Sequence, residues 1–236
     1  MNILQVAPLF TASPQDFGSG VVRVVYQVSK ELVKRGHAVT ICTSSSADGV
    51  SSHKQIKNTI NPVILDGIRV FFFPYSISYN LFYFTPQVLP YLKKNLDTFD
   101  VAHLHDVRSF QSIITHHYAR ERGFPYVLQL HGSYLGTIKG SKLMWLLDTV
   151  LSNKVLRDSK RVIALTNTEV EYYRKKGIAS GAIDVVGNGV EIPQYCGETA
   201  AGRFREKFAI RDDQFIVLYV GRIASSKGLD MLVKAF

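Results

Sequence analysis

The sequence predicts a doubly wound α/β domain built on a parallel sheet. Two observations predict it: the hydrophobic period switches repeatedly between strand and helix spacing, and the predicted strands are short and apolar on both faces. Such a sheet must be covered by helices on both sides, and its crossovers are expected to be right-handed.

The predicted elements alternate along the first four fifths of the chain. Strands are predicted at Ile3–Ala7, Ala38–Cys42, Ile68–Phe73, Val101–Leu104, Tyr126–Leu130, Arg161–Leu165 and Ile183–Val186. Helices are predicted at Gly20–Arg35, Ser109–Glu121, Ser141–Leu156 and Glu169–Lys176. The first helix has apolar residues at helical spacing, and Gly36 follows it as a stop signal.

Three segments of different character are expected. Residues 1–193 form the complete α/β domain, and the more polar residues 194–213 form a linker with a short helix. Residues 214–236 supply one further strand, Phe215–Val220, and the start of a helix. One strand and half a helix cannot bury a core. We therefore expect a truncated second domain, completed by missing sequence or by a partner chain.

Composition excludes several classes of protein. The 236 residues are 46% hydrophobic, yet no run approaches the ~18 apolar residues of a membrane span. The N-terminus has no basic region of a signal peptide, and the two cysteines form neither a disulfide framework nor a metal spacing. These features predict a cytoplasmic protein. The net charge of +9 favours an anionic partner, but nucleic-acid-binding motifs are absent.

The loops at the carboxyl ends of the strands are the predicted binding site. Their hydroxyl, amide and imidazole groups suit phosphate and sugar hydroxyls, and the candidate sugar or acceptor ligands are His105, Asp106, Ser133, Thr166 and Asn188. His103, His105 and Asp106 are a conceivable metal set. Strand-end histidines bonded to backbone or water are the better interpretation, so no metal is expected.

Two further features of this edge suggest ligand chemistry. Gly18-Ser19-Gly20 precedes a helix, where free amides and the helix dipole favour an anion, although the glycines can equally serve the turn alone. His131 directly follows a strand. It either bonds a sugar hydroxyl near the reaction centre or caps a tight loop.

A basic segment surrounds the single tryptophan. In Lys139–Arg157 the apolar helix face points away from Trp145, and lysines flank it. An exposed tryptophan among lysines is typical of a peripheral contact with an anionic membrane face, and an interdomain contact explains it equally well.

Motifs along nearly the whole chain carry a family resemblance. They are Gly18-Ser19-Gly20, Arg35–Thr40, Asp100–His105, Pro125–Gly132, Val162–Thr166, Asn188–Glu191, and Gly221-Arg222 with Lys227-Gly228. In this order they resemble the N-terminal half of a family 4 glycosyltransferase with the GT-B architecture. The resemblance implies two facing Rossmann-like domains, and the family's C-terminal pair of glutamates is absent from this sequence.

The resemblance also implies a reaction and roles for residues. Such enzymes transfer a sugar from a nucleotide-diphosphate sugar to a glycan or lipid-linked acceptor, with retention and without a metal. It implies that Gly18, Ser19 and Gly20 approach the donor diphosphate and that His131 lies beside the transferred sugar. It implies that Arg222 and Lys227 neutralise the leaving group, on which charge builds in the transition state.

Three functions follow as hypotheses. The first is a glycosyltransferase fragment that is inactive alone, because half of the implied donor site is missing. The second is a non-catalytic acceptor-binding or anchoring subunit of a split enzyme. The third is a nucleotide-sugar epimerase, which the sequence disfavours because the cleft loops offer mainly Asp16 and Asp106 as proton-handling carboxylates.

Overall fold

The computed structural model describes residues 1–11, 20–45, 61–79, 82–132, 148–191, 202–221, 223–224 and 227–235. The strands are β1 (Asn2–Phe10), β2 (Ala38–Ser45), β3 (Val63–Leu65), β4 (Ile68–Phe73), β5 (Ile77–Tyr79), β6 (Phe82–Phe84), β7 (Val101–Leu104), β8 (Tyr126–Gln129), β9 (Arg161–Ala164) and β10 (Ile183–Val185). The helices are α1 (Gly20–Lys34), α2 (Val88–Asn95), α3 (Phe110–Arg122), α4 (Asn153–Arg157), α5 (Asn167–Lys175), α6 (Arg203–Lys207) and α7 (Leu229–Ala235).

Eight of these strands form one sheet in the order β10-β9-β8-β7-β1-β2-β4-β3. All neighbours pair in parallel except β3 and β4. The order reverses at β1, because α1 leads from β1 to β2 on one side and the later strands continue from β7 on the other. The predicted doubly wound α/β class is confirmed.

Alternation along the strands gives the sheet two different faces. On one face Leu4, Leu104 and Leu128 are fully buried in a core that includes residues of α2, α3 and α4. On the other face Ile41 and Val70 join a second core that includes α1. Apolar residues on both faces explain why these strands read as continuous hydrophobic runs.

Helix α1 owes its position to one apolar stripe. Its buried residues Val22, Val25, Tyr26 and Ser29 recur at three- and four-residue spacing, which places them on one side of the helix. Lys34 lies in the last turn and Gly36 adopts a φ of 83°, so the predicted stop signal acts as expected.

Two hairpins were not predicted from the sequence. Asp66 and Gly67, with φ of 48° and 79°, form the tight turn between β3 and β4. The second hairpin pairs β5 with β6 outside the main sheet. The Phe84 ring of this hairpin packs edge-on against Phe110, with 4.8 Å between ring centroids.

The helix predicted over 141–156 lies partly outside the described residues. Its described part is a π-helical turn, Asp148–Ser152, followed by α4. None of the described helices is both long and apolar enough to cross a membrane.

The chain divides into two units, Met1–Gly189 and Val190–Phe236. In the second unit α6 carries Phe204 and is followed by Phe208, and their ring centroids lie 4.8 Å apart. Phe215–Val220, predicted as a strand, has no strand partner among the described residues, and Phe215 is 92% exposed. A strand exists only when a neighbour completes its hydrogen bonds, so apolar sequence alone does not produce one here.

Candidate functional site

The carboxyl edge of the sheet between β1 and β7 is the topological switch point. The chain leaves β1 towards β2 on one side and β7 starts the other half of the sheet, which is the arrangement that gives open α/β sheets a crevice at this edge. Ligands of open α/β sheets bind in this crevice. The backbone N–H of His105, directly after β7, donates to the carbonyl of Val6 at 2.9 Å, which fixes the end of β7 against β1.

Three histidines meet at this edge, and we call them the imidazole cluster: His103, His105 and His131. The rings of His103 and His105 lie 4.0 Å apart between centroids, and those of His105 and His131 lie 5.2 Å apart and nearly parallel. Gln5 pairs in register with His103 on the neighbouring strand, so strand alternation sends Gln5, His103 and His105 to the same face.

Short polar contacts join this cluster to the sheet. His105 Nε2 lies 2.6 Å from Oε1 of Gln5, and His105 Nδ1 lies 2.9 Å from Nε2 of His131. Gln129, on β8, hydrogen-bonds the ring of His103. Both ring nitrogens of His105 are therefore engaged, and the residue is only 2% exposed.

Burial keeps the whole cluster neutral at neutral pH. It lowers the pKa of His131 to about 4. It lowers the pKa of His103 to about 3, assisted by the nearby His131 ring and opposed by the hydrogen bond that the His103 ring donates to Gln129. Burial, with the two neighbouring imidazoles, holds the pKa of His105 well below its usual value. A neutral imidazole can both donate and accept one hydrogen bond, which suits a hydroxyl ligand.

The backbone at His131 is held in the left-handed region. His131 has a φ of 53° and Gly132 a φ of 76°, so two successive residues turn the chain sharply where β8 ends. Histidine adopts this region more readily than most non-glycine residues, but it still carries a cost. Strained backbone of this kind concentrates at functional sites.

The structure gives several predicted ligands other tasks. Direct contact of His105 with a sugar would require breaking one of its two hydrogen bonds. Asp106 Oδ1 accepts a hydrogen bond of 2.7 Å from the N–H of Val107 within its own loop. Thr166 caps helix α5: its hydroxyl accepts from the N–H of Glu169 at 3.3 Å, while the Glu169 carboxylate accepts from the N–H of Leu165.

The remaining predicted residues lie on other elements or outside the described residues. Gly20 is the first residue of α1, and a Cβ there would meet nothing within 4 Å. Asn188 is exposed after β10, and Lys227 is exposed in the second unit just before α7. Gly18, Ser19, Ser133 and Arg222 lie outside the described residues.

Gln5 and Gln129 were not among the predicted site residues. Gln5 and Gln129 were counted within apolar strands, yet each is almost fully buried. The available signal was a long amide side chain inside a buried strand, because burying an amide costs free energy unless a hydrogen bond compensates, as the contact of Gln5 Oε1 with His105 does in part. The expectation that His103 and His105 bond to backbone or water was also incomplete, since their partners are side chains.

The chemistry of this arrangement is that of a hydrogen-bonding pocket. Among the residues that the structure describes, no group of three histidine, cysteine or acidic side chains is placed to hold a metal ion. The Nδ1 atom of His131 and the Nε2 atom of His103 have no hydrogen-bond partner within the described ranges. His131, at the strand end, is the cluster member placed to meet a ligand.

Comparison with known proteins identifies the fold. An uncharacterized glycosyltransferase of Methanocaldococcus jannaschii is 25% identical over 224 residues, which are 88% of this chain and 53% of that protein. The structure of HepE from Anabaena in complex with UDP superposes with a TM-score of 0.68 at 16% identity, covering 100% of this chain and 57% of that one. A UDP-N-acetylglucosamine 2-epimerase from Rickettsia bellii gives 0.52 at 12% identity, covering 100% and 59%.

The chain spans about half the length of these relatives. Its sheet matches the N-terminal part of a GT-B fold, as the sequence motifs implied. The family model described as Glycosyltransferase Family 4 matches residues 18–193, which is well over half of the chain. The chain therefore belongs to glycosyltransferase family 4.

Proposed function

We propose that this chain is the acceptor-side part of a retaining, metal-independent glycosyltransferase. The reaction would move a sugar from a nucleotide-diphosphate sugar to a glycan or lipid-linked acceptor. The observation that carries the proposal is His131, a neutral imidazole held on left-handed backbone after β8 and in contact with His105 at the switch point of the sheet. That HepE was solved with UDP and with UDP-glucose supports a nucleotide sugar as the donor.

His131 would act on the transferred sugar. A hydrogen bond from a neutral group contributes ~0.5–1.5 kcal/mol, and it accelerates the reaction only if it strengthens as the glycosidic bond breaks. Partial burial of His131 makes such strengthening more effective, because a hydrogen bond is stronger where the local dielectric constant is low. Gly18, Ser19 and Gly20 would face the donor diphosphate, and Arg222 and Lys227 would neutralise it as it leaves.

Transfer is proposed for the protein that carries both domains, and the present chain alone would be inactive. The test compares the two-domain protein with its His131→Asn variant on a panel of nucleotide sugars and of glycan and lipid acceptors. Asparagine tolerates the left-handed backbone, so the variant removes the imidazole without adding backbone strain. We expect kcat to fall at least ~10-fold, or ~1.4 kcal/mol, with the melting temperature nearly unchanged.

Two controls define this experiment. Replacing His37, which follows α1 at the opposite edge of the sheet and contacts the N-terminal amine, should leave kcat unchanged. Normal kcat combined with a large drop in the melting temperature of His131→Asn would make His131 a structural cap. Sugar transfer by the 236-residue chain alone at ~1 per second would contradict the need for the second domain.

An epimerase is the second candidate, because the Rickettsia epimerase has a similar fold. An epimerase needs groups that move protons on carbon, and Asp106, the carboxylate predicted for this role at the described edge, is engaged by its own loop. The discriminating assay omits the acceptor: an epimerase still converts the nucleotide sugar to its epimer. A glycosyltransferase leaves that sugar unchanged until acceptor is added.

A non-catalytic subunit and a membrane contact are separate proposals about partners. If the chain anchors a catalytic partner, transfer activity appears only when that second chain is added.

The basic segment Lys139–Arg157, of which Lys154 is exposed and Trp145 lies outside the described residues, would bind an anionic membrane face. Each basic residue there adds ~1 kcal/mol and salt screens it, so liposome flotation should weaken at high salt.

A further inference from the structure

We propose that Gln5 is a positioning residue that acts through His105 to hold His131 in one tautomer, with Nδ1 of His131 unprotonated and turned to accept a hydrogen bond from a sugar hydroxyl. The inference rests on the proposed function for the identity of the ligand, while the tautomer itself is a property of this chain. The proposal gives the buried Gln5 a role, and it makes the sugar hydroxyl the donor and Nδ1 of His131 the acceptor of their hydrogen bond.

The first step is the contact between Gln5 and His105. The carbonyl oxygen Oε1 of Gln5 lies 2.6 Å from Nε2 of His105. The amide nitrogen of Gln5 has no hydrogen-bond partner among the described residues, and with Oε1 turned to His105 the amide oxygen can only accept, so Nε2 of His105 carries the proton and donates it. Gln5 is fully buried on the central strand β1, and the pairing of β1 with β7 holds it opposite the histidines.

The second step follows from the neutrality of His105. Its buried position beside two other imidazoles keeps it uncharged, because a second proton would place an unpaired charge inside the protein. A neutral imidazole with a proton on Nε2 has a lone pair on Nδ1. That Nδ1 atom lies 2.9 Å from Nε2 of His131, so His131 must supply the proton of this hydrogen bond.

The third step concerns the free side of His131. With its proton on Nε2 and a pKa lowered to about 4, His131 has a lone pair on Nδ1 at neutral pH. This atom is shielded from solvent and has no partner within the described residues. Among the described residues, the ionisable groups that act on the pKa of His105 are the other two histidines of the cluster, and Asp106 accepts a hydrogen bond from the Val107 amide.

The chemistry of the ligand group follows from this lone pair. An acceptor atom pairs with a hydroxyl, which brings a proton, and it repels an ionised phosphate oxygen, which brings none. The cluster therefore selects for the sugar part of a nucleotide sugar and against the diphosphate. The diphosphate has to lie elsewhere, near groups that donate.

The experiment reads the tautomer directly in the 236-residue chain. With ¹⁵N-labelled histidine, long-range ¹H–¹⁵N spectra at neutral pH distinguish protonated from unprotonated ring nitrogens, and His105→Gln and His131→Asn variants assign the signals. We expect a protonated Nε2 and an unprotonated Nδ1 for both residues. A protonated Nδ1 on His131 would overturn the proposal.

Variants of Gln5 test the cause. Gln5→Met keeps the length of the side chain but removes the acceptor, so His131 should lose its single tautomer. Gln5→Glu retains an acceptor oxygen and should restore it. Gln129→Met is the matched control, because Gln129 is equally buried but bonds His103, and it should leave His131 unchanged. An unaltered His131 spectrum in folded Gln5→Met would contradict the role of Gln5.

Kinetics of the two-domain protein separate this inference from the proposed function. Gln5→Met should lower kcat by about 10-fold with the KM for the nucleotide sugar nearly unchanged, and Gln5→Glu should recover most of kcat. If the predicted tautomer is observed but no acceptor is glycosylated, the proposed function fails and the hydrogen-bond chain stands. If transfer occurs while His131 carries its proton on Nδ1, the inference fails and the function stands.

Discussion

Strands β7 and β8 present very different surfaces on their two sides. One side carries Ala102, Leu104 and Leu128, all fully buried in the larger apolar core. The other side carries His103 on β7 and Gln129 on β8, so polar groups occupy equally central positions of the same two strands. The difference shows that one short strand can stabilise the fold through the core residues on one face and contribute polar groups to a candidate ligand site on the other.

The two faces should respond differently to mutation, and the apolar face should give the largest effect. Leu104→Ala removes a fully buried side chain and leaves a cavity, so we expect a loss of ~2–5 kcal/mol in the free energy of unfolding. Urea unfolding at neutral pH measures it. The tautomer of His131 should not change, since Leu104 points to the opposite face, and a shifted histidine spectrum would show that the two faces are coupled.

The polar face should instead make stability depend on pH. A histidine whose pKa is lower in the folded protein is protonated first in the unfolded chain. Its stabilisation is therefore complete above pH ~6.5 and is lost as pH falls through the range down to the folded value, which is about 3 for His103 and about 4 for His131. The free energy of unfolding should thus decrease from pH 6.5 to pH 4.

His103→Gln tests this dependence. The variant lacks one of the titrating groups, so its free energy of unfolding should fall less steeply than that of the wild type as the pH is lowered. The two slopes should differ by up to ~1.4 kcal/mol per pH unit. Urea unfolding at half-unit pH intervals gives the two slopes. Leu104→Ala serves as the control, because it should lower the whole curve and keep the slope. Equal slopes for the wild type and His103→Gln would mean that His103 is not buried as a neutral ring.

The smallest effect is expected at the edge where both faces end. Thr166→Ala removes the cap of α5 and should cost ~1 kcal/mol in the free energy of unfolding. If capping is the whole role of Thr166, the KM for the nucleotide sugar and for the acceptor stays the same in the two-domain protein. Thr166→Ser retains the oxygen and should restore stability. A raised KM in Thr166→Ala with unchanged stability would return Thr166 to the binding site.

Much of the sheet could be predicted because its signals are local. The period-two and period-3.6 patterns of apolar residues located the seven strands predicted for the domain. The ends of those strands placed His105 and His131 at the carboxyl edge of the sheet. The β3–β4 hairpin, which was not among the predicted elements, also has a local signal, Asp66-Gly67 between apolar residues. Phe215–Val220 shows the opposite case, in which a strong local pattern has no neighbour to pair with.

The candidate site was less predictable because its contacts are distant in sequence. Gln5 and His105 are 100 residues apart, and His105 and His131 are 26 apart, so neither spacing reveals the contact. The strand order of the sheet brings these three residues together, and the hydrophobic periodicity of a single segment does not predict strand order. Because both partners of His105 are distant in sequence, its two hydrogen bonds could not be foreseen, and His105 was predicted to touch a sugar. With both ring nitrogens engaged, it is better suited to support His131.

The left-handed backbone at His131 has a consequence for which amino acids a randomised library can recover at this position. At a φ of 53°, selection for folding alone should enrich glycine, asparagine and aspartate and deplete β-branched residues. Selection for sugar transfer should retain histidine in spite of its backbone cost. Comparing the residues enriched by the two selections would therefore show, at one codon, which preference comes from the backbone conformation and which comes from sugar transfer.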